Sequence, residues 1–180
     1  MTPCKVYSAG ERTAIPVVAV VGKGDSGKTT FVERLVRTLS QRGVRVATVK
    51  HHVHDYDIDV PGKDSWRHAR AGSIAAMVSS PNKFSLVRDV EQELTLEELA
   101  QTAADCGCDI LIAEGYKTSS GNRIEVSRLA RSAEPLSGPG EVLAFVTDNP
   151  ELSQLGAPTF ALDDASGVAD FVQERFLGDA

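Results

Sequence analysis

A three-layer α/β domain with a mainly parallel sheet is the fold class that this sequence predicts, and three observations predict it. Short apolar runs rich in β-branched residues alternate with amphipathic stretches along the chain, the order that builds parallel strands joined by crossover helices. The first of these runs leads straight into a glycine-rich turn and then a helical pattern. At 180 residues and 42% hydrophobic, the chain is long and apolar enough to bury one full-sized core. A single domain over residues 1–180 is therefore expected, with 1–13 as a flexible N-terminal extension.

The elements follow in order. Ile15 to Val21 reads as the first strand. Thr29 to Gln41 follows as a helix, with Phe31, Leu35 and Leu39 spaced four apart on one face and Gly43 as its stop. Val44 to Val49 is the second strand. A polar stretch from Lys50 to Lys63 leads into a short helix, Ser65 to Ala71, with Asp64 as its N-cap and Gly72 as its end. Further strands are expected at Ile74 to Val78, Asp109 to Ala113, Arg123 to Val126, Val142 to Val146 and Thr159 to Leu162, with helices at Leu96 to Asp105 and Gly167 to Phe176. The Ser-, Pro- and Gly-rich segment Ser132 to Gly140 is a surface loop, because too little chain follows it to build a second core.

Charge and cysteine usage narrow the function classes. Nineteen basic and twenty-five acidic residues leave a net charge of -6, so the broad positive field that serves nucleic-acid or anionic-membrane binding is missing. The Ile15 to Val21 run is too short to span a bilayer, and the N-terminus lacks a signal peptide's pattern, so a cytoplasmic location is expected. Cys4, Cys106 and Cys108 make neither a disulfide framework nor a paired zinc pattern and are read as free thiols.

The strongest chemical signal is GKGDSGKT, Gly22 to Thr29, which satisfies G-x-x-x-x-G-K-[ST] between a predicted strand and a predicted helix. Phosphate oxygens need several N–H donors converging at close range. Glycines let the backbone curl inward without Cβ clashes, and the following helix offers its positive end. Gly22, Lys23, Gly24, Asp25, Ser26 and Gly27 therefore form a phosphate loop, the P-loop of nucleotide-binding proteins. Lys28 is expected to reach the β and γ phosphates of a nucleoside triphosphate, and the Thr29 hydroxyl to bind Mg²⁺. A second metal-site acid is sought at the carboxyl end of a neighbouring strand, where α/β sheets gather their ligands. Glu114, which ends the apolar run in DILIAEGYK, fits as a metal partner or as the catalytic group that orients water. Asp109, at the other end of that strand, is read as structural.

All four histidines of the protein lie in the segment from Lys50 to Gly72. Asp55, Asp57 and Asp59 recur there at every second residue, so an extended chain would point them to one side, toward a divalent ion or a water. The histidines are open to three readings: zinc or nickel ligands, cations facing an acidic substrate, or members of a self-satisfied polar loop. A closed zinc site is disfavoured, since no cysteine is near and H-H-x-H has no second ligand pair at finger spacing. For the base, no N-K-x-D guanine motif ends any strand. Asp148 is the one substitute, because a carboxylate accepts both N1–H and N2–H of guanine. The competing reading makes Asp148 the start of a turn over Thr147 to Pro150.

Three blocks in sequence order, GDSGKTT, VKHHVHDYDIDVPGKDS and ILIAEGYK, resemble the molybdopterin-guanine dinucleotide biosynthesis protein B family, MobB, over Val17 to Glu125. The resemblance implies a P-loop GTP-binding protein with weak Mg²⁺-dependent GTPase activity. Such a protein assists a separate molybdenum cofactor guanylyltransferase in attaching guanosine monophosphate to molybdopterin, and it is a homodimer. It matches the nucleotide site onto Gly24, Ser26, Gly27, Lys28, Thr29 and Thr30, and the strand-end acid onto Glu114. His51, His52, His54, Asp57, Lys63 and Asp64 become candidates for holding the pterin phosphate or answering the γ-phosphate. Lys23 makes the loop similar to those of dimeric ATPases in which such a lysine reaches the partner's nucleotide, although Asp25 stands where those loops have glycine. Two other classes remain open. One is a metal-delivery GTPase using the histidine block and Cys106-Gly-Cys108. The other is a small-molecule kinase with Asp57 as its catalytic base.

Overall fold

Strand Val17–Val21 (β1) is almost wholly apolar, and only its first residue is less than fully buried, as befits a strand covered on both faces. The computed structural model describes residues 14–52, 56–117 and 121–178 of the chain. The other elements are helix Lys28–Gln41 (α1), strand Val46–Lys50 (β2), helix Asp64–Arg70 (α2), strands Ala75–Ser79 (β3) and Phe84–Arg88 (β4), helix Leu96–Asp105 (α3), strands Ile110–Glu114 (β5), Arg123–Ser127 (β6) and Ala144–Thr147 (β7), a 3₁₀ turn Pro150–Leu155, strand Thr159–Phe160 (β8) and helix Ala165–Phe176 (α4). They form two compact units, one ending at His51 and resuming at Leu96, the other His52–Thr95.

The first unit carries a six-stranded sheet in the order β2-β5-β1-β6-β7-β8, and every pairing is parallel. Alternation across the pleat sorts its side chains. Val18 and Val20 of β1, Ile110 and Ile112 of β5, and Ile124 and Val126 of β6 share one core with Phe31, Leu35 and Leu39 of α1 and Val168 and Val172 of α4. Leu111 faces the other way and packs with Ala100 and Ala103 of α3. Helices on both faces of one sheet make the three layers. Leu35 and Leu39 are fully buried, and each contributes roughly 1.5–3 kcal/mol by leaving water.

The second unit holds α2 and the antiparallel pair β3–β4, registered Ala75↔Arg88 to Ser79↔Phe84. The strand expected at Ile74 to Val78 therefore exists, but as a hairpin arm and not as a member of the main sheet. Its partner β4 was hidden in a short, weakly alternating FSLVR. The intervening turn closes when Ser80 N–H donates to the Lys83 carbonyl at 2.8 Å and the Ser80 hydroxyl accepts from Lys83 N–H at 3.0 Å. Helix α2 also corrects one expectation. Lys63, in extended backbone, takes the N-cap position with no side-chain hydrogen bond, and Asp64 is the first helical residue. There the acid complements the helix dipole and lies 3.8 Å from Arg67.

Candidate functional site at the carboxyl edge of the sheet

The glycine loop joins β1 to α1 at the carboxyl edge of the sheet, and its backbone needs the residues it has. Gly22 has φ +147°, and a Cβ there would lie 2.3 Å from the Val126 carbonyl and 2.8 Å from the Ser26 hydroxyl oxygen, which forbids any side chain. Gly27, the N-cap of α1, is left-handed at φ 94°. Asp25 is left-handed at φ 57° and is the one described non-glycine residue with positive φ. Aspartate tolerates that region better than most residues. It is held there by Arg131, whose guanidinium lies 3.3 Å from its carboxylate and donates to the Gly24 carbonyl at 2.9 Å. Helix α1 has neither a side-chain cap nor an acid in its first turn, so its positive end is open to an anion.

Cations and two acids, Glu114 and Asp25, surround this end. Lys28 Nζ donates to the Lys23 carbonyl at 2.7 Å. Its pKa is lowered from the ordinary 10.5, chiefly by desolvation, with Glu114 pulling it up and Lys117 and Lys50 pushing it down. Thr29 Oγ1 donates to Glu114 Oε1 at 2.8 Å. That contact follows from register: β5 lies parallel beside β1 with Glu114 opposite Val20. Glu114 shares the parity of Ile110 and Ile112, which face α1. Lys50, opposite Glu114 on β2, brings its ammonium within 3.5 Å of the same oxygen. Thr29 and Glu114 thus supply adjacent hard oxygen donors, the ligand chemistry that Mg²⁺ takes.

Other singled-out residues separate by location. Asp148 is exposed just past the end of β7, on the same edge, and its Oδ1 accepts from Leu129 N–H at 2.6 Å. The turn that follows belongs to Asn149, which caps the 3₁₀ segment by accepting from Glu151 N–H, so the turn-starting reading of Asp148 moves one residue on. His51 N–H donates to the Glu114 carbonyl at 2.9 Å, and its ring tilts against Tyr116 with centroids 5.0 Å apart. In the second unit, the His52 ring lies 5.4 Å from that of Tyr56, Asp57 is 3.7 Å from Arg70, and Asp59 accepts from Val60 N–H. Lys63 and Asp64 are exposed. His54 and Asp55 lie outside the described residues. Among the described residues no group of three His, Cys, Asp or Glu side chains converges as a metal site. Cys106 is exposed and Cys108 half-buried against the α3 side core. Asp109 is structural: its carboxylate takes the guanidinium of Arg45 and also the backbone N–H of Arg45 at 2.8 Å.

Sequence reasoning missed the flank contributed by β6. Glu125 is 1% exposed, and its carboxylate accepts from Leu136 N–H at 2.6 Å and Ser137 N–H at 2.8 Å. Past the strand, Lys23 Nζ donates to Ser132 Oγ at 2.7 Å, so this lysine is engaged within its own chain. The strand-end rule that found Glu114 would have flagged SRLARS as well, had β6 been placed beside β1.

The chain has known relatives. The family model for molybdopterin guanine dinucleotide synthesis protein B, MobB, matches residues 17–148. The molybdopterin-guanine dinucleotide biosynthesis adapter protein of Escherichia coli (strain K12) is 33% identical over 167 residues, spanning 91% of this chain and 94% of its own. The Haemophilus influenzae adapter protein is 30% identical over 160 residues, 88% of each chain. The crystal structure of Bacillus subtilis MobB superposes with a TM-score of 0.73 at 26% identity, over 92% of this chain and all of that one. With the phosphate-loop motif, the strand-end acid and the sheet order already in place, these matches establish that the chain belongs to the MobB family.

Proposed function

We propose that this chain is an adapter in molybdopterin-guanine dinucleotide synthesis that binds GTP with Mg²⁺ at the glycine loop and hydrolyses it slowly. The observation that carries the nucleotide part is the pairing of Thr29 with Glu114 at 2.8 Å, beside the uncapped start of α1. Mg²⁺, when bound, neutralises charge shared by two phosphates. Thr29 and Glu114 would hold it, directly or through water. The backbone N–H groups of the loop take the phosphate oxygens, Lys28 adds a point charge, and Glu114 orients a water. The adapter part is supported by the relatives named as adapter proteins. On this reading the partners are a guanylyltransferase and molybdopterin, and the chain works as a cytoplasmic homodimer. No described helix is long and apolar enough to cross a membrane. The direct test adds the purified chain, GTP and Mg²⁺ to a guanylyltransferase reaction on molybdopterin. Dinucleotide yield should rise, and a yield indifferent to the chain rejects the adapter role.

The two strand-end acids have separable tasks. Glu114→Gln should slow GTP turnover by about tenfold or more while leaving most triphosphate affinity, which rests on backbone donors. Asp148→Asn keeps an oxygen for the Leu129 amide but loses the charge that favours guanine's donors. The change should remove about 1.5–3 kcal/mol of discrimination against ATP. Competition of ATP against labelled GTP on both variants reads the division. A variant of Asp148 with undiminished GTP preference means that the base is read elsewhere.

A further inference from the structure

We propose that Arg128 grips the diphosphate of the bound nucleotide from the side of the loop opposite the metal; the inference rests on the phosphate-site reading above. Arg128 is the first residue after β6, and β6 runs parallel beside β1 with Glu125 opposite Val21. The chain therefore leaves the sheet next to the glycine loop. Its guanidinium Nη2 lies 3.4 Å from where a Cβ on Gly27 would stand, against the residue at which the helix begins. Glu114 and Thr29 belong to the other flank, since β5 and β6 lie on opposite sides of β1.

The neighbouring cations are already engaged: Lys23 with Ser132, Arg131 with Gly24 and Asp25, Lys28 with the loop carbonyl. The Arg128 side chain makes no hydrogen bond or ion pair among the described residues. A guanidinium lying at the positive end of an uncapped helix is repelled by it, and an anion entering between them would relieve that repulsion. A second feature points the same way. Ser26 is 1% exposed, yet its buried hydroxyl has no hydrogen-bond partner among the described residues, and it lines a small cavity together with Lys23, Glu125, Arg128, Arg131 and Ser132. Buried hydroxyls are ordinarily satisfied, and this one belongs to the residue before Gly27, beside which the guanidinium lies. The planar fork of a guanidinium matches two phosphate oxygens at once. Acting on the diphosphate, Arg128 would support GDP and GTP alike.

Titration calorimetry of the full chain with GDP and with GTP tests the proposal. Arg128→Ala should weaken both by about tenfold, Arg128→Lys should recover part of the loss, and the nucleotide-free melting temperature should stay or rise because no contact is removed. Equal GDP affinity in parent and Arg128→Ala overturns the role of Arg128 while leaving the phosphate site standing. A lowered nucleotide-free melting temperature overturns it in favour of a structural role. A folded parent that binds neither nucleotide overturns the phosphate site and Arg128 together.

Discussion

Lys28→Ala should lower triphosphate affinity at least about tenfold, equivalent to about 1.4 kcal/mol or more, and leave the fold intact. The ammonium is partly desolvated beside the start of α1, with its proton held less firmly than in water. Among the described residues its one hydrogen bond is to a loop carbonyl, so the folded state loses little when it goes. A bound phosphate chain, in contrast, would lose a point charge in a partly desolvated place. Calorimetric titration with GTP and Mg²⁺ measures the change, and undiminished affinity would remove the glycine loop from nucleotide binding.

The lowered pKa gives the same prediction a pH signature. Only the protonated lysine attracts phosphate, so parent affinity should begin to fall below pH 10.5, as pH rises through the lowered value. Stability runs in the opposite direction. The unfolded chain holds this proton to higher pH than the folded one does, so the lysine's contribution to folding stability rises between the lowered pKa and 10.5. Lys28→Ala should flatten both dependences.

Glu125→Ala should destabilise the protein by about 3–5 kcal/mol, because it strips the partner from one buried and one part-buried donor and opens a hole beneath them. The carboxylate reaches across from β6 to the loop before β7 and takes the amides of Leu136 and Ser137. Without it those N–H groups have no acceptor, and the loop that carries them is released from the sheet. Glu125→Gln keeps one acceptor oxygen and should lose about half as much. Urea denaturation gives both numbers from the shift in midpoint at constant slope. A loss below about 1 kcal/mol for the alanine variant would mean that water replaces the carboxylate at those amides.

The path of the chain was legible wherever local pattern and tertiary demand agree. GKGDSGKT announces its own geometry, because Gly22 and Gly27 are needed for backbone reasons that hold in any such loop. The α1 stripe of Phe31, Leu35 and Leu39 is buried as spaced. Glu114 stands at the carboxyl end of β5, beside β1, where the apolar run that precedes it put it. The pattern failed where a short segment obeys a distant partner. FSLVR became a strand because the Ser80–Lys83 turn folds it onto β3. Asp64 looked like a cap and is instead the first residue of its helix.

What the sequence by itself determined is the fold class, the glycine-loop backbone and the family. The loop is written in neighbouring residues and rests on backbone sterics, the fold class in the alternation of apolar runs and amphipathic stretches, and the family in three motif blocks in order. What only the tertiary structure decided is the company these residues keep. The order β2-β5-β1-β6-β7-β8 sets Lys50 against Glu114, seats the Glu125 carboxylate under the Leu136 and Ser137 amides, and delivers Arg128 to Gly27. These contacts join residues far apart in sequence. Their physical reason is strand adjacency, which spacing along the chain does not encode.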